Sequence, residues 1–192
     1  METTITNSKN YISKLSHPLL GTWDIYFHLP HDKRWDLKSY DMIASDINTA
    51  ERAIVINEYL PEKIIKYCML FVMRKNVTPM WEDSANREGG CFSFKVLNKV
   101  VDTVWKDLFY AVCGETLFTN KSQNKNVTGI TISPKRNFCV IKVWLGDCSV
   151  QDPDTMIDIL NLSKEGCLFK KHSSATSFIP SKVDTKGVTK SR

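Results

Sequence analysis

The sequence has no C-x-x-C pair. Its six cysteines (Cys68, Cys91, Cys113, Cys139, Cys148 and Cys167) are dispersed, mostly inside apolar runs. That spacing speaks against a zinc module of the usual ligand pattern. The first residues, Met1-Glu2-Thr3-Thr4, lack the basic-then-apolar plan of an export signal. Scattered thiols without such a signal fit a reducing compartment, with the cytoplasm as the expected location. No apolar run approaches the roughly 18–20 residues that span a bilayer, so no membrane partner is expected. Histidine is scarce: His17, His28, His31 and His172 lie far apart, without a convincing nucleophile or metal-ligand partner. Neither an enzyme nor a metal or other cofactor is therefore expected. A strong charge imbalance is missing too. With 26 basic and 21 acidic side chains the net charge is +5, which permits an anionic partner without requiring one. No internal repeat is present.

What is there describes one folded domain. The chain has 192 residues, 42% hydrophobic and 24% charged, enough to close a core and too apolar for a disordered chain. Residues 1–16 are polar and aperiodic and read as an arm; residues 173–192, rich in Ser, Thr and Lys, read as a tail; 17–172 is the domain between them. Alternation over Thr22–Leu29, ended by Pro30, predicts a strand. Ala53, Ile56 and Leu60 at helical spacing predict a helix from Thr49 to Leu60, stopped by Pro61. Tyr67–Met73 is a short apolar run, read as a strand buried on both faces. Cys91–Leu97 alternates again. Val101, Val104, Trp105, Leu108 and Val112 form one stripe, predicting a helix over about Asp102–Val112 with Gly114 as its C-cap. Val127–Ile132 and Phe138–Leu145 read as a hairpin. Asp152 as N-cap, Pro153 at the first helical position and Gly166 as a stop predict a last helix. This order gives an α+β fold, a single domain with a curved, mostly antiparallel sheet. About three helices cover its convex face, and a pocket lies open on the concave one.

The candidate site begins at Thr78-Pro79-Met80-Trp81-Glu82-Asp83. Pro79 cannot donate to a ladder and biases Thr78 away from helix, so the segment reads as a loop. A tryptophan beside a carboxylate offers a π surface next to acceptor oxygens. That suits a planar ligand with N–H donors along one edge, above all guanine. The plainer reading is that Trp81 plugs a core edge while Glu82 and Asp83 are solvated. In Phe138–Leu145 one face carries Cys139, Ile141, Val143 and Leu145, the face expected to meet the helices. The other carries Phe138, Val140, Lys142 and Trp144. Lys142 and Trp144 together suit an aromatic ligand with an anionic tail, or else Trp144 covers a sheet edge while Lys142 snorkels. Lys135-Arg136 in the hairpin turn is either a phosphate contact or simply solvated. Trp35 follows a polar turn and adds a third aromatic.

Taken in order, several residues resemble the eukaryotic translation initiation factor 4E family over about residues 16–171. They are His17-Pro18-Leu19, the Trp23 strand, Trp35, Pro79-Met80-Trp81-Glu82-Asp83 with Gly89-Gly90, Trp105 with Gly114-Glu115, and Trp144. The spacing of Trp35 and Trp81 matches that family as well. The resemblance implies a non-catalytic protein that binds the 7-methylguanosine cap of messenger RNA. Trp35 and Trp81 would sandwich the base and Glu82 would accept its N1 and N2 hydrogens. The Trp81 backbone N–H would meet O6, and Trp144 would touch the N7 methyl group. Methylation at N7 makes the base cationic, adding about 0.5–2 kcal/mol of cation–π attraction per contact.

The chain departs from the family in two places. The arginine usual after Gly-Gly is Cys91, and the lysine usual four before the last tryptophan is Val140. Lys135, Arg136 and Lys142 are the remaining candidates for phosphate. On the helical face, where the family holds a scaffold-type initiation factor or a repressor, the first-helix tryptophan is matched by Ile54. Lys106, Asp107 and Tyr110 stand where Leu, Glu and Leu are favoured. His17, Pro18 and Leu19 are retained, so a partner face of altered chemistry is expected. Two readings follow: a monomer that delivers capped messenger RNA to translation initiation, or a repressor that sequesters it. A nucleotide hydrolase lacks the clustered carboxylates it would need, since Glu82 and Asp83 alone make no two-metal site. The wealth of Asn, Ile and Lys fits an AT-biased source, such as a viral or protist member.

Overall fold

Seven strands form one sheet in the computed structural model, which describes residues 16–172. They are β1 (Pro18–His28), β2 (Asp41–Thr49), β3 (Met69–Arg74), β4 (Gly90–Leu97), β5 (Val127–Pro134), β6 (Phe138–Leu145) and β7 (Leu168–Lys171). The spatial order is β2-β1-β3-β5-β6-β4-β7, and every neighbouring pair is antiparallel. Helices α1 (Ala50–Tyr59), α2 (Glu62–Tyr67) and α3 (Val101–Cys113) complete the α+β architecture. The expected arm and tail fall outside the described residues, apart from Ser16, which is exposed. No helix among the described residues is long and apolar enough to cross a membrane.

Period-two patterning decides which side of the sheet each residue serves. Cys139, Ile141, Val143 and Leu145 of β6 are fully buried and join Trp105, Leu108 and Val112 of α3 in the main core. In β3, Leu70 and Val72 enter the same core. Phe71 and Met73 point the other way, into a smaller cluster with Cys91 and Trp144. The concave face therefore has its own apolar floor, and that floor positions the site.

Local chemistry sets the helix ends. The Thr49 side chain accepts from Arg52 N and starts α1, and Pro61 separates α1 from α2. The α3 stripe is buried as its spacing predicts. Gly114 is the C-cap of α3, but it stays right-handed; Glu115, at φ 51°, makes the left-handed turn. Thr116 N donates to Ala111 O at 2.8 Å and Glu115 N to Val112 O at 3.1 Å, closing the helix as a Schellman turn.

Four elements differ from the sequence expectation. Helix α2 is one: no pattern announces it, and it ends on Tyr67, which the apolar run assigns to the next strand. Strand β2 has no readable period because its pairing with β1 shifts register three times, and Ile47 is its one buried residue. Strand β7 is too short to show alternation. The last helix is absent. Asp152 caps Asp154 N, yet only Pro153–Thr155 forms a 3₁₀ turn. Beyond it Met156 bridges to Phe118, and Ile157 N donates to Leu117 O at 2.8 Å. Met156, Ile159 and Leu162 are buried at a spacing that imitates a helix, while Asn161 turns left-handed at φ 67° between them.

Candidate functional site

The loop between β3 and β4 is fixed by two side chains that follow its tryptophan and bond back to the residues before it. The Asp83 carboxylate accepts from Thr78 N at 2.8 Å, Thr78 Oγ1 at 2.6 Å and Ala85 N at 2.8 Å. Burial pushes its pKa up, but the bonds from Thr78 and Ala85 outweigh this and hold it below the ordinary value. The fully buried Asn86 donates from Nδ2 to Met80 O at 2.7 Å and to Thr78 O at 3.3 Å. Trp81 and Glu82 lie between these anchors, Trp81 half-buried and Glu82 exposed. Pro79 and Met80 thus complete a clamp that presents the next two side chains.

Trp35 comes from the loop after β1 and is 55% exposed, so one face of its indole is open. The other face stacks on the buried His28, with centroids 4.4 Å apart and planes 4° from parallel. His28 Nε2 lies 2.8 Å from Arg34 O, which fixes the imidazole. Trp144 rises from β6, donating from Nε1 to Thr131 Oγ1 at 3.2 Å. The ring of His172 lies 4.9 Å from it. His172 Nδ1 is 2.7 Å from Asn86 O, and His172 N donates to Gly89 O at 3.0 Å. One histidine therefore backs Trp35, and another ties Trp144 to the loop carrying Trp81.

Burial lowers the His172 pKa from 6.5; the Asn86 carbonyl opposes this, and Lys142 adds to the lowering. The folded state consequently binds fewer protons than the unfolded chain just below pH 6.5. Stability should be complete above that pH and decline as pH falls toward the lowered folded pKa. Urea unfolding between pH 8 and pH 5 measures it, and His172→Gln should flatten the decline. An unchanged pH slope in that variant would assign the decline to other groups.

These side chains enclose one cleft of about 220 Å³ on the concave face. Trp35, Trp81, Glu82, Lys142 and Trp144 line it, over a floor that includes Tyr40, Phe71 and Thr131. Burial, helped by the charge of Glu82, pushes the Tyr40 hydroxyl up to about 12, so it stays protonated. The cleft offers two tryptophan faces from separate loops, a carboxylate at its rim, a third indole at its base and one ammonium group. Such a set can take a flat, electron-poor heterocycle that donates hydrogen bonds along one edge and carries an anionic group.

Of the sequence candidates, Trp35, Trp81, Glu82, Trp144 and Lys142 meet in this cleft. Lys135 and Arg136 do not line it; they are exposed in the β5–β6 turn, where Lys135 N donates to Phe138 O. The candidate partner residues occupy the other side. His17 Nδ1 lies 2.6 Å from Glu51 Oε1, Pro18 and Leu19 open β1, and Ile54 is 49% exposed on α1. Lys106 and Tyr110 both bond Glu58 of α1, at 2.8 Å and 2.7 Å, beside Asp107. His28, Tyr40, Asn86 and His172 were not legible as site residues. Their partners are ring faces and backbone carbonyls far away in sequence, which no local pattern marks.

The family model described as "Eukaryotic initiation factor 4E" matches residues 18–186. The chain is similar to eukaryotic translation initiation factor 4E of Candida glabrata, 28% identical over 185 residues, covering 91% of this chain and 86% of that protein. Among solved structures it is similar to the complex of C. elegans eIF4E-3 with the 4E-binding protein Mextli, with a TM-score of 0.69 at 16% identity, covering 84% of this chain and 97% of that one. Schistosome eIF4E complexed with m7GpppG and 4E-BP gives a TM-score of 0.61 at 23% identity, covering 70% and 75%. At these identities the structural likenesses bear on the fold.

Proposed function

Because the chain belongs to the eukaryotic initiation factor 4E family, we propose that its concave cleft binds the 7-methylguanosine cap of messenger RNA and that the protein brings capped messages into translation initiation. The observation that carries this reading is the convergence of Trp35, Trp81, Glu82 and Trp144 from three separate segments on one cleft. A base slides between Trp35 and Trp81. Glu82 accepts from guanine N1–H and N2–H, and Trp144 meets the methyl group at N7. Stacking contributes roughly 1–3 kcal/mol per base, and it is indifferent to base identity. Selectivity comes from charge: the methylated base is cationic, and the negative faces of two indoles attract it. It is a binding reaction, with no bond made or broken.

Relatives of known structure carry 4E-BP or Mextli, and the helical face of this chain is where we place a protein partner. Ile54 supplies a smaller apolar anchor than an indole, and Glu58 draws Lys106 and Tyr110 together beside it. Partner choice on this face should therefore differ from that of relatives with an aromatic anchor.

The direct test is calorimetric titration with 7-methylguanosine triphosphate and with unmethylated guanosine triphosphate. A cation–π gain of about 1–4 kcal/mol over two rings corresponds to a preference of roughly five- to several-hundredfold for the methylated ligand. Equal affinity for the two would remove the reading.

A further inference from the structure

The strand register places three lysines on the concave face beside the cleft. Lys142 of β6 lines the cleft itself. Directly paired residues share a face of the sheet, and Lys142 pairs with Ser93 of β4. Two residues along β4 in one direction is Lys95, paired with Val140; two in the other is Cys91, paired with Trp144 on one side and Lys170 of β7 on the other. Lys95, Lys142 and Lys170 therefore stand around Ser93 on the face that holds Trp144. Neighbouring strands are roughly 4.8 Å apart and alternate residues roughly 6.8 Å, distances that flexible lysine side chains reach across.

Nothing anionic among the described residues neutralises this group. None of the three makes an ion pair there, and β4, β5, β6 and β7 contain no Asp or Glu. Lys95 Nζ sits 4.7 Å over the Phe138 ring, which orders the side chain without supplying a counter-charge. The electrostatic influence of Lys142 and Lys170 reaches the thiol of Cys91 between them, on which burial acts in the opposite sense. Cys91, Ser93 and Val140, which share this face with the three lysines, carry short side chains. On the opposite flank of the cleft the lining is Tyr40, Met69 and Phe71, which bring no cation.

We propose that Lys95, Lys142 and Lys170 form the subsite for the polyphosphate tail of a nucleoside 5′-polyphosphate whose base occupies the cleft. The inference rests on the function proposed above and assigns the tail its direction: away from the Trp35 loop and across β6 onto β4 and β7. Lys135 and Arg136, on the turn beyond, have no part in it.

The experiment compares 7-methylguanosine monophosphate with the triphosphate on the wild type, Lys95→Ala, Lys170→Ala and Lys135→Ala/Arg136→Ala. Lys95 and Lys170 lie outside the base-contacting set, and both side chains are exposed, so their removal spares the fold. Each single substitution should lower triphosphate affinity about three- to tenfold and monophosphate affinity less than twofold. The fall of triphosphate affinity with added salt should also become shallower in each lysine variant, since fewer charge contacts remain to be screened. The inference is overturned if both ligands weaken equally, or if the turn variant and not the lysine variants removes the triphosphate advantage. A wild type that prefers the triphosphate through these lysines yet ignores N7 methylation would support the anion subsite and defeat the base assignment.

Discussion

Glu82→Ala should lose retention on immobilised 7-methylguanosine triphosphate while its melting temperature stays that of the wild type. The two parts of this result have separate causes. Two hydrogen bonds from a cationic base to one carboxylate contribute roughly 1.5–3 kcal/mol each, before the cost of ordering. Their loss corresponds to a fall in affinity of about a hundredfold or more. In the free protein the Glu82 side chain is exposed, and it makes no hydrogen bond or ion pair among the described residues. Its neighbour provides the contrast: Asp83 holds three loop donors. Asp83→Ala should weaken binding by misplacing Trp81 and should also destabilise the protein, by about 1–3 kcal/mol for donors left without their acceptor. Titration and thermal unfolding of the two variants distinguish recognition from support. Full retention by Glu82→Ala would show that the base edge is read elsewhere.

The sequence exposed the recognition half of this site because it is locally encoded. Pro79 marks a loop, Trp81 and Glu82 are adjacent, and period two in β6 puts Lys142 and Trp144 on one face. Trp35 stands out as a loop aromatic, but only the family resemblance pairs it with Trp81, since no short-range pattern links the two. The support was hidden for the same reason. His28 acts by stacking and His172 by bonding a carbonyl 86 positions away, so composition alone made both look idle. The missed strand β2 and the false last helix have a shared origin: buried residues there follow tertiary packing, and bulges or a left-handed Asn161 break the regular periods. Of the lysines in the proposed subsite, Lys142 is legible from β6 alone, whereas Lys95 and Lys170 become visible only through strand register, which joins Lys170 to Cys91 and Lys95 to Val140.

Glu115, marked in the sequence only as part of the family resemblance, carries the largest expected effect on stability. Its side chain is 7% exposed and bonds Arg74 Nη1 at 2.7 Å. Arg74 also donates from Nε to Val127 O at 2.8 Å and from Nη2 to Asn124 O at 3.0 Å, and it lies 4.6 Å over the Trp23 ring. One guanidinium thereby ties β3 to β1, to the start of β5 and to the end of α3. Glu115→Ala leaves that cation, 21% exposed, with carbonyl acceptors but no counter-charge. Removing one member of a buried pair costs about 3–5 kcal/mol; the residual exposure of Arg74 reduces this to about 2–3 kcal/mol. For a chain of this size the melting temperature should fall by roughly 4–12 °C. Backbone geometry adds a second signature. At φ 51° the residue is left-handed, a conformation that glycine adopts without the Cβ penalty of about 1 kcal/mol. Glu115→Gly should therefore be less destabilising than Glu115→Ala, the reverse of the order within a helix. Urea unfolding of the two variants tests both statements. Equal losses would show that the left-handed turn is unstrained, and losses below about 0.5 kcal/mol would show that the ion pair is dispensable.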